Sequence, residues 1–186
     1  MGEIIVNGNG IPHQATVDEF GNIFTSSVNE PTDKNANRLG NVWSIYFTTT
    51  PVGAGDYFFY MKNTTDVVWA ISDIRIMCAS ADTFNYNLVS GTPSYTSGTD
   101  ITPTPRNTAF THVPTGTIKK DTDTTGLTNN GTVFFERCDT ANKRYKLSTS
   151  ANILITQNKA FAIEAVTGTA LVTCVLSLAV LADRSK

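Results

Sequence analysis

The stretch VWSIYFTT at Val42–Thr49 decides the fold, because apolar and polar side chains alternate along it. An alternation of period two is typical of a β-strand with one buried face. It places three large apolar side chains together on that face, namely Trp43, Ile45 and Phe47. The stretch therefore predicts a core strand of a β domain, with Tyr46 on the opposite face.

Further strands follow at short intervals along the chain. We predict them at residues 57–62, 67–78, 84–89, 132–136, 153–156, 160–166 and 170–182, with shorter ones near 107–112 and 116–119. Within 67–78 the apolar phase slips between Ile71 and Ile74, which predicts a β-bulge near Ser72 and Asp73. About eight strands at this spacing predict an all-β fold for residues 41–186, an antiparallel β-sandwich that is jelly-roll-like.

Residues 1–40 differ from the rest of the chain and form a predicted N-terminal arm. Short strands are expected near residues 3–6, 11–17 and 22–25, followed by a polar linker. The arm has too little apolar surface to build a core, so we expect it to lie on the body or on another chain. Its predicted contact residues are Ile4, Ile5, Val6, Ile11, Phe20 and Phe24.

The composition excludes two classes of partner. Charged residues make up 16% of the chain and the net charge is −2, whereas ordinary soluble domains carry about 25% charged residues. Nucleic-acid binding needs clustered Lys and Arg, and only short pairs such as Lys119-Lys120 occur. The longest apolar run, 171–182, is shorter than the roughly 20 residues of a membrane helix. We expect no direct contact with nucleic acid or membrane.

No catalytic motif is present in the sequence. GxSxG, HExxH, the P-loop and GxGxxG are all missing, and the two histidines, His13 and His112, lie far apart along the chain. Glu136 and Glu164 fall on predicted strands and are the candidates for a carboxylate pair, but their polar-face positions favour ordinary solvent-facing side chains. We expect that the protein is not an enzyme.

Metal and cofactor binding also lack a strong signal. The loop at 121–126 resembles the start of a calcium loop, with Asp121, Asp123 and Gly126, but the later Glu and the flanking helices are missing. An ordinary solvent-exposed loop is the favoured interpretation of residues 121–126, and calcium binding by this loop is kept as an alternative. The three cysteines have no CxxC spacing, which predicts buried free thiols at Cys78, Cys138 and Cys174. We expect no cofactor and no metal.

A second aromatic face suggests self-association. Tyr46, Phe58 and Tyr60 fall on the face opposite Trp43 and Phe59. Because exposed apolar patches mark interfaces, we expect these three residues to contact the arm or another subunit.

Several short motifs carry a resemblance to a known group of proteins. They are Tyr-Met-Lys-Asn-Thr at 60–64 leading into 67–76, Asn-Lys-Ala-Phe-Ala-Ile at 158–163, Thr-Gly-Thr-Ala at 167–170, Gly-Asn-Gly at 8–10 and Phe-Gly-Asn at 20–22. In this order they resemble jelly-roll capsid decoration (cement) proteins of tailed bacteriophages. The resemblance implies a jelly roll, a homotrimer on a capsid lattice, an arm that contacts neighbouring subunits and no catalytic residues.

The sequence therefore predicts a virion structural protein. We expect a decoration or cement subunit on the capsid exterior, made in the host cytoplasm, whose partners are the major capsid protein and its own copies. One alternative is a receptor- or carbohydrate-binding head of a phage fibre or spike that reads its target with loop 91–130 and the aromatic residues Tyr86, Tyr95 and Phe110. Another is a single jelly-roll capsid shell protein.

Overall fold

The structure is a computed structural model that describes residues 37 and 39–181 and four short strands nearer the N-terminus. Side chains are described from residue 37 onward, apart from those of residues 38 and 148–152. The chain divides into two compact units, Met1–Pro31 and Thr32–Lys186. Among the described residues, no helix is long and apolar enough to cross a membrane.

The N-terminal unit contains two small antiparallel pairs of strands. Strand β1 (Ile4–Val6) pairs with β2 (Pro12–Gln14), and β3 (Thr16–Val17) pairs with β4 (Ile23–Phe24). The predicted short strands of the arm are therefore confirmed.

In the described residues 41–181 of the second unit, all regular secondary structure is β-strand. They are β5 (Val42–Thr49), β6 (Asp56–Asn63), β7 (Val68–Cys78), β8 (Asp82–Tyr95), β9 (Thr99–Asp100), β10 (Thr104–Pro105), β11 (Gly116–Lys120), β12 (Thr124–Cys138), β13 (Arg144–Ile155), β14 (Ala160–Ala165) and β15 (Val172–Leu181). Five of them form one sheet in the order β10-β5-β15-β7-β13, and six form the other in the order β12-β8-β14-β6-β11-β9.

The strand order is that of a jelly roll. With the short strands β9, β10 and β11 set aside, the two sheets read β5-β15-β7-β13 and β6-β14-β8-β12. Consecutive strands of this set cross from one sheet to the other, except β8 and β12, which pair directly. All neighbours are antiparallel. Two Greek keys wound into two packed sheets define the jelly roll, so the predicted fold class is confirmed.

The core lies between the two sheets. The face of β5 that carries Trp43, Ile45 and Phe47 is buried, as its alternation predicted. The ring of Phe47 stacks on that of Phe59 from the opposite sheet, with centroids 4.9 Å apart. The predicted bulge on β7 is also confirmed, because β15 pairs with Asp73 and then Ile71 and thereby skips Ser72.

One predicted strand does not form, and three others are clearly longer than predicted. No strand forms at residues 107–112, and the short β9 and β10 lie before them instead. Strands β8, β12 and β13 are each longer than predicted. Mainly polar residues at 90–95 and 124–131 continue β8 and β12, whereas the added part of β13 packs Tyr145 and Leu147 against the core. The extensions of β8 and β12 pair with each other and form the ribbon described next.

Candidate functional site

The ends of β8 and β12 form a two-stranded ribbon over the outer face of the six-stranded sheet. Tyr95, at the end of β8, meets the ring of Tyr60 on β6 edge-to-face with centroids 6.2 Å apart, although β14 lies between these strands in the sheet. The ammonium group of Lys119 lies 5.2 Å from the centre of the Tyr95 ring. Leu127 of β12 packs against the same cluster. The chain therefore covers this face with its own ribbon.

Two glycines allow the ribbon to form. Gly91 and Gly126 have φ values of +104° and +74°, which side chains rarely tolerate. A Cβ on Gly91 would lie 2.4 Å from the carbonyl oxygen of Gly126, and a Cβ on Gly126 would lie 2.5 Å from that of Thr92. The two backbones thus approach too closely for any side chain.

The buried carboxylate of Asp121 holds the far end of the ribbon. Its oxygens accept backbone N–H groups from Thr96 at 3.0 Å, Ser97 at 2.7 Å and Thr122 at 2.7 Å, and hydroxyls from Ser97 and Thr124. Burial by itself would raise the pKa of Asp121, but the hydrogen bonds from Ser97, Thr122 and Thr96 outweigh it and lower that pKa. This carboxylate is an anchor for the loop.

The same contacts bear on the calcium hypothesis for loop 121–126. Both oxygens of Asp121 face N–H and O–H donors, which is the arrangement of a structural carboxylate. Within the described part of the chain, no group of three or more His, Cys, Asp or Glu side chains is placed to hold a metal ion.

Of the three residues on the predicted second aromatic face, only Tyr46 is exposed, at 62% of its surface. Phe58 and Tyr60 are buried, so the expectation that these two side chains contact a partner is wrong. On β6, β14 pairs with Phe59 and then Tyr57, which makes Phe58 the extra residue of a bulge and brings it into the core beside Phe59. Tyr60 does face outward, but the ribbon covers it.

The predicted contact residues of the arm are only partly within the described residues. Ile4, Ile5 and Val6 lie on β1 and Phe24 lies on β4, where the strands but not the side chains are described. Ile11 and Phe20 lie outside the described residues. Their role in partner contact stays a prediction.

The alternative hypothesis of a binding head relied on three aromatic side chains, and most of their surface is packed against other residues of the chain. Tyr86 is fully buried in the core, and Tyr95 is half-buried against Tyr60. Phe110 is 36% exposed and lies over Gly40, where a Cβ would fall 2.3 Å from its ring. These three residues do not form one open surface.

An exposed apolar run lies on the edge strand of the six-stranded sheet. Val133, Phe134 and Phe135 of β12 are 38%, 37% and 69% exposed. We call these three residues the edge surface. Strand β12 is terminal in its sheet, and no described strand pairs with its outer side. An exposed apolar edge strand is a ready template for protein association.

A groove crosses the outer face of the five-stranded sheet. Tyr46, Val175, Arg75 and Lys146 stand opposite one another on β5, β15, β7 and β13, and so form one row across the sheet. The next row holds Thr48, Thr173, Met77 and Arg144. Between Tyr46 and the arginines the surface dips into a groove of about 270 Å³, which we call the Tyr46 groove.

The catalytic candidates are not brought together. Glu136 is opposite the buried Phe84, whereas Glu164 is opposite Asn85, so the two carboxylates project from opposite faces of the sheet. Glu164 is on the outer face of the six-stranded sheet, where it accepts a hydrogen bond from the side-chain amide of Asn87 at 2.7 Å. Burial raises the pKa of Glu136. These two residues therefore do not face each other across a cleft.

The remaining reactive groups have structural surroundings. The backbone carbonyl of His112 accepts the indole N–H of Trp43 at 2.9 Å, and its ring packs edge-to-face on that indole. The three cysteines are free and buried, as predicted: Cys78, Cys138 and Cys174. Burial raises the pKa of all three thiols, that of Cys138 to about 12.

No protein-family model matches the chain, and no curated protein and no solved structure matches it either. The edge surface and the Tyr46 groove are therefore interpreted from their own geometry.

Proposed function

We propose that the protein is a virion structural protein, a capsid decoration subunit that stabilises the capsid lattice through protein–protein contacts. The observation that carries this proposal is the edge surface on a jelly roll. Jelly rolls occur in viral capsid proteins and lectins. This one places three adjacent apolar residues on an unpaired strand edge. Such an edge promotes aggregation of a protein that functions as a monomer, whereas it promotes binding of a protein that docks beside neighbouring subunits.

The free energy that the edge surface can contribute on burial suits a subunit bound within a capsid lattice. Fully burying a phenylalanine side chain contributes about 1.5–3 kcal/mol, and Phe135 is 69% exposed before any contact forms. The edge surface thus supplies a few kcal/mol per joint. Because a decoration subunit can bind several neighbours at once, modest contacts combine into strong attachment. Self-association into a homotrimer and contact with the major capsid protein belong to the same proposal.

Copy number tests the function. In purified particles of the virus that encodes the chain, quantitative mass spectrometry should find the protein in a fixed ratio to the major capsid protein that matches a set of lattice positions. A few copies per particle would instead indicate a fibre or spike head. If the isolated chain assembles into closed shells, it is a capsid shell protein, and if particles lack it, the proposal is wrong.

A matched pair of variants tests the edge surface. Phe135→Ser should weaken binding of the purified protein to particles stripped of it, because the exposed ring is lost from the joint. The control is Leu171→Ser, which removes another exposed apolar side chain, 52% exposed and outside β12. Equal binding by both variants would show that the edge surface is not the attachment site.

A further inference from the structure

The Tyr46 groove has the shape of a trough between two strands. Val175 lies between Tyr46 and Arg75 in its row. Neighbouring strands lie about 4.8 Å apart, so the two flanking side chains rise from backbones about 10 Å apart. Tyr46 is 62% exposed and lies at the end of its row, because β10 pairs with β5 only at Trp43 and Ser44. The groove is therefore open, with an apolar floor and an aromatic wall.

The opposite wall of the groove is positively charged. Arg75, Arg144 and Lys146 lie on this face, and the carboxylate of Asp73 forms ion pairs with Arg75 and Lys146. The Nε–H of Arg75 donates to Asp73 at 2.9 Å, which orients the guanidinium and leaves its terminal nitrogens for another acceptor. No described carboxylate lies within ion-pair distance of Arg144. In a chain of net charge −2, this is a local excess of cations beside an open ring.

We propose that the Tyr46 groove binds an anionic sugar unit, a pyranose that carries a carboxylate. Arginine forks match the two oxygens of a carboxylate, and Arg75 and Arg144 both line the groove. The apolar C–H face of a sugar ring packs on the Tyr46 ring, and Thr173 supplies a hydroxyl. The volume of about 270 Å³ is below the roughly 300–1,000 Å³ of pockets for drug-sized ligands, which fits one sugar ring.

This proposal goes beyond the decoration function and does not depend on it. An acidic peptide would also satisfy the arginines. It would not use a single aromatic wall beside a trough one ring wide. The floor of the groove is β15, which pairs with β5 on one side and β7 on the other, so no peptide backbone can pair with a strand inside the groove. The groove geometry therefore favours the sugar.

The test titrates the full chain with D-glucuronate and with D-glucose, observed by saturation-transfer NMR. The two sugars differ in the carboxylate alone, so glucuronate should bind at least about tenfold more tightly, the equivalent of one charge-assisted pair. Tyr46→Ala should abolish the transfer signal, and Arg144→Gln should weaken binding about tenfold for the same reason. Circular dichroism of each variant checks that the fold is kept, which the exposure of both side chains favours.

The matched control is Arg137→Gln, which removes the same charge from β12 in the other sheet, where the side chain is 74% exposed. It should leave glucuronate binding unchanged. The proposal is overturned if glucose binds as tightly as glucuronate, if neither sugar binds, or if Arg137→Gln weakens binding as much as Arg144→Gln. It is also overturned if a tetraglutamate peptide binds the groove more tightly than glucuronate.

Discussion

Replacement of Asp121 by Asn tests whether one carboxylate holds the ribbon in place. In the native protein, Oδ1 accepts from Ser97 and Thr122, and Oδ2 accepts the N–H of Thr96 and the hydroxyl of Thr124. An Asn amide keeps one acceptor oxygen but turns the other position into a donor. If that donor replaces Oδ2, it faces the N–H of Thr96, which then lacks a partner.

The expected loss of stability follows from the hydrogen bonds that Asp121→Asn removes. One charge-assisted hydrogen bond contributes about 1.5–3 kcal/mol, and a stranded buried N–H adds a further penalty, so we expect Asp121→Asn to lower the free energy of unfolding by about 3 kcal/mol. For a domain of this size, that corresponds to a melting temperature lower by about 6–12 °C. Urea denaturation at pH 7 measures the first quantity, and hydrogen exchange at residues 96 and 97 shows whether the ribbon opens locally.

The contribution of Asp121 to stability should decrease at low pH. The pKa of Asp121 in the folded state is lowered from the ordinary 3.8, so its stabilising contribution is complete above that value. It disappears as the pH falls from 3.8 through the folded-state pKa. The gap in stability between the native protein and Asp121→Asn should therefore be full at pH 7 and should shrink below about pH 4.

Asp123 provides a control two residues away with the opposite sign. Burial, with the charges of Asp56 and Asp121, raises the pKa of Asp123, so the folded state disfavours its charged form. Asp123→Asn should leave stability at pH 7 unchanged or slightly higher. The reasoning is refuted if Asp121→Asn is as stable as the native protein, or if Asp123→Asn loses as much stability.

Three further predictions concern thiols, the arm and assembly. The thiols of Cys78, Cys138 and Cys174 should not react with a thiol reagent in the native protein at pH 8, because they are buried and their pKa values are raised. All three thiols should react after denaturation. A mass lower by two hydrogens in the non-reduced protein would show a disulfide and contradict this prediction. Removal of residues 1–31, the part of the predicted arm that forms the first compact unit, should leave the β circular-dichroism signal of the second unit while weakening particle binding; loss of the fold would show that these residues belong to the sandwich. Equilibrium sedimentation should give a trimer that Phe135→Ser weakens, and a monomer at micromolar concentration would count against the edge surface as a self-contact.

The sequence was informative where a single strand has one apolar face. The alternation at Trp43, Ile45 and Phe47 identified the buried face, and the slip between Ile71 and Ile74 located a bulge. Residues 57–60 are aromatic on both faces, so their pattern contains no phase that would have revealed the bulge at Phe58.

Features that depend on strand order were not predictable from local patterns. Tyr60 is covered by Tyr95, which reaches it only because the β8–β12 ribbon crosses over β14. The Tyr46 groove unites residues from four strands whose neighbours are set by the jelly-roll crossings. The edge surface is identified only when β12 is known to be terminal, since strand order alone shows that its backbone edge is unpaired.

Cryo-electron microscopy of the particle that contains the protein tests the central claim most directly. The account predicts the jelly roll on the outside of the capsid shell, at repeated lattice positions, with Val133, Phe134 and Phe135 covered by a neighbouring protein. A map that shows the jelly roll at a fibre tip, or on the lattice with this edge open to solvent, would contradict it.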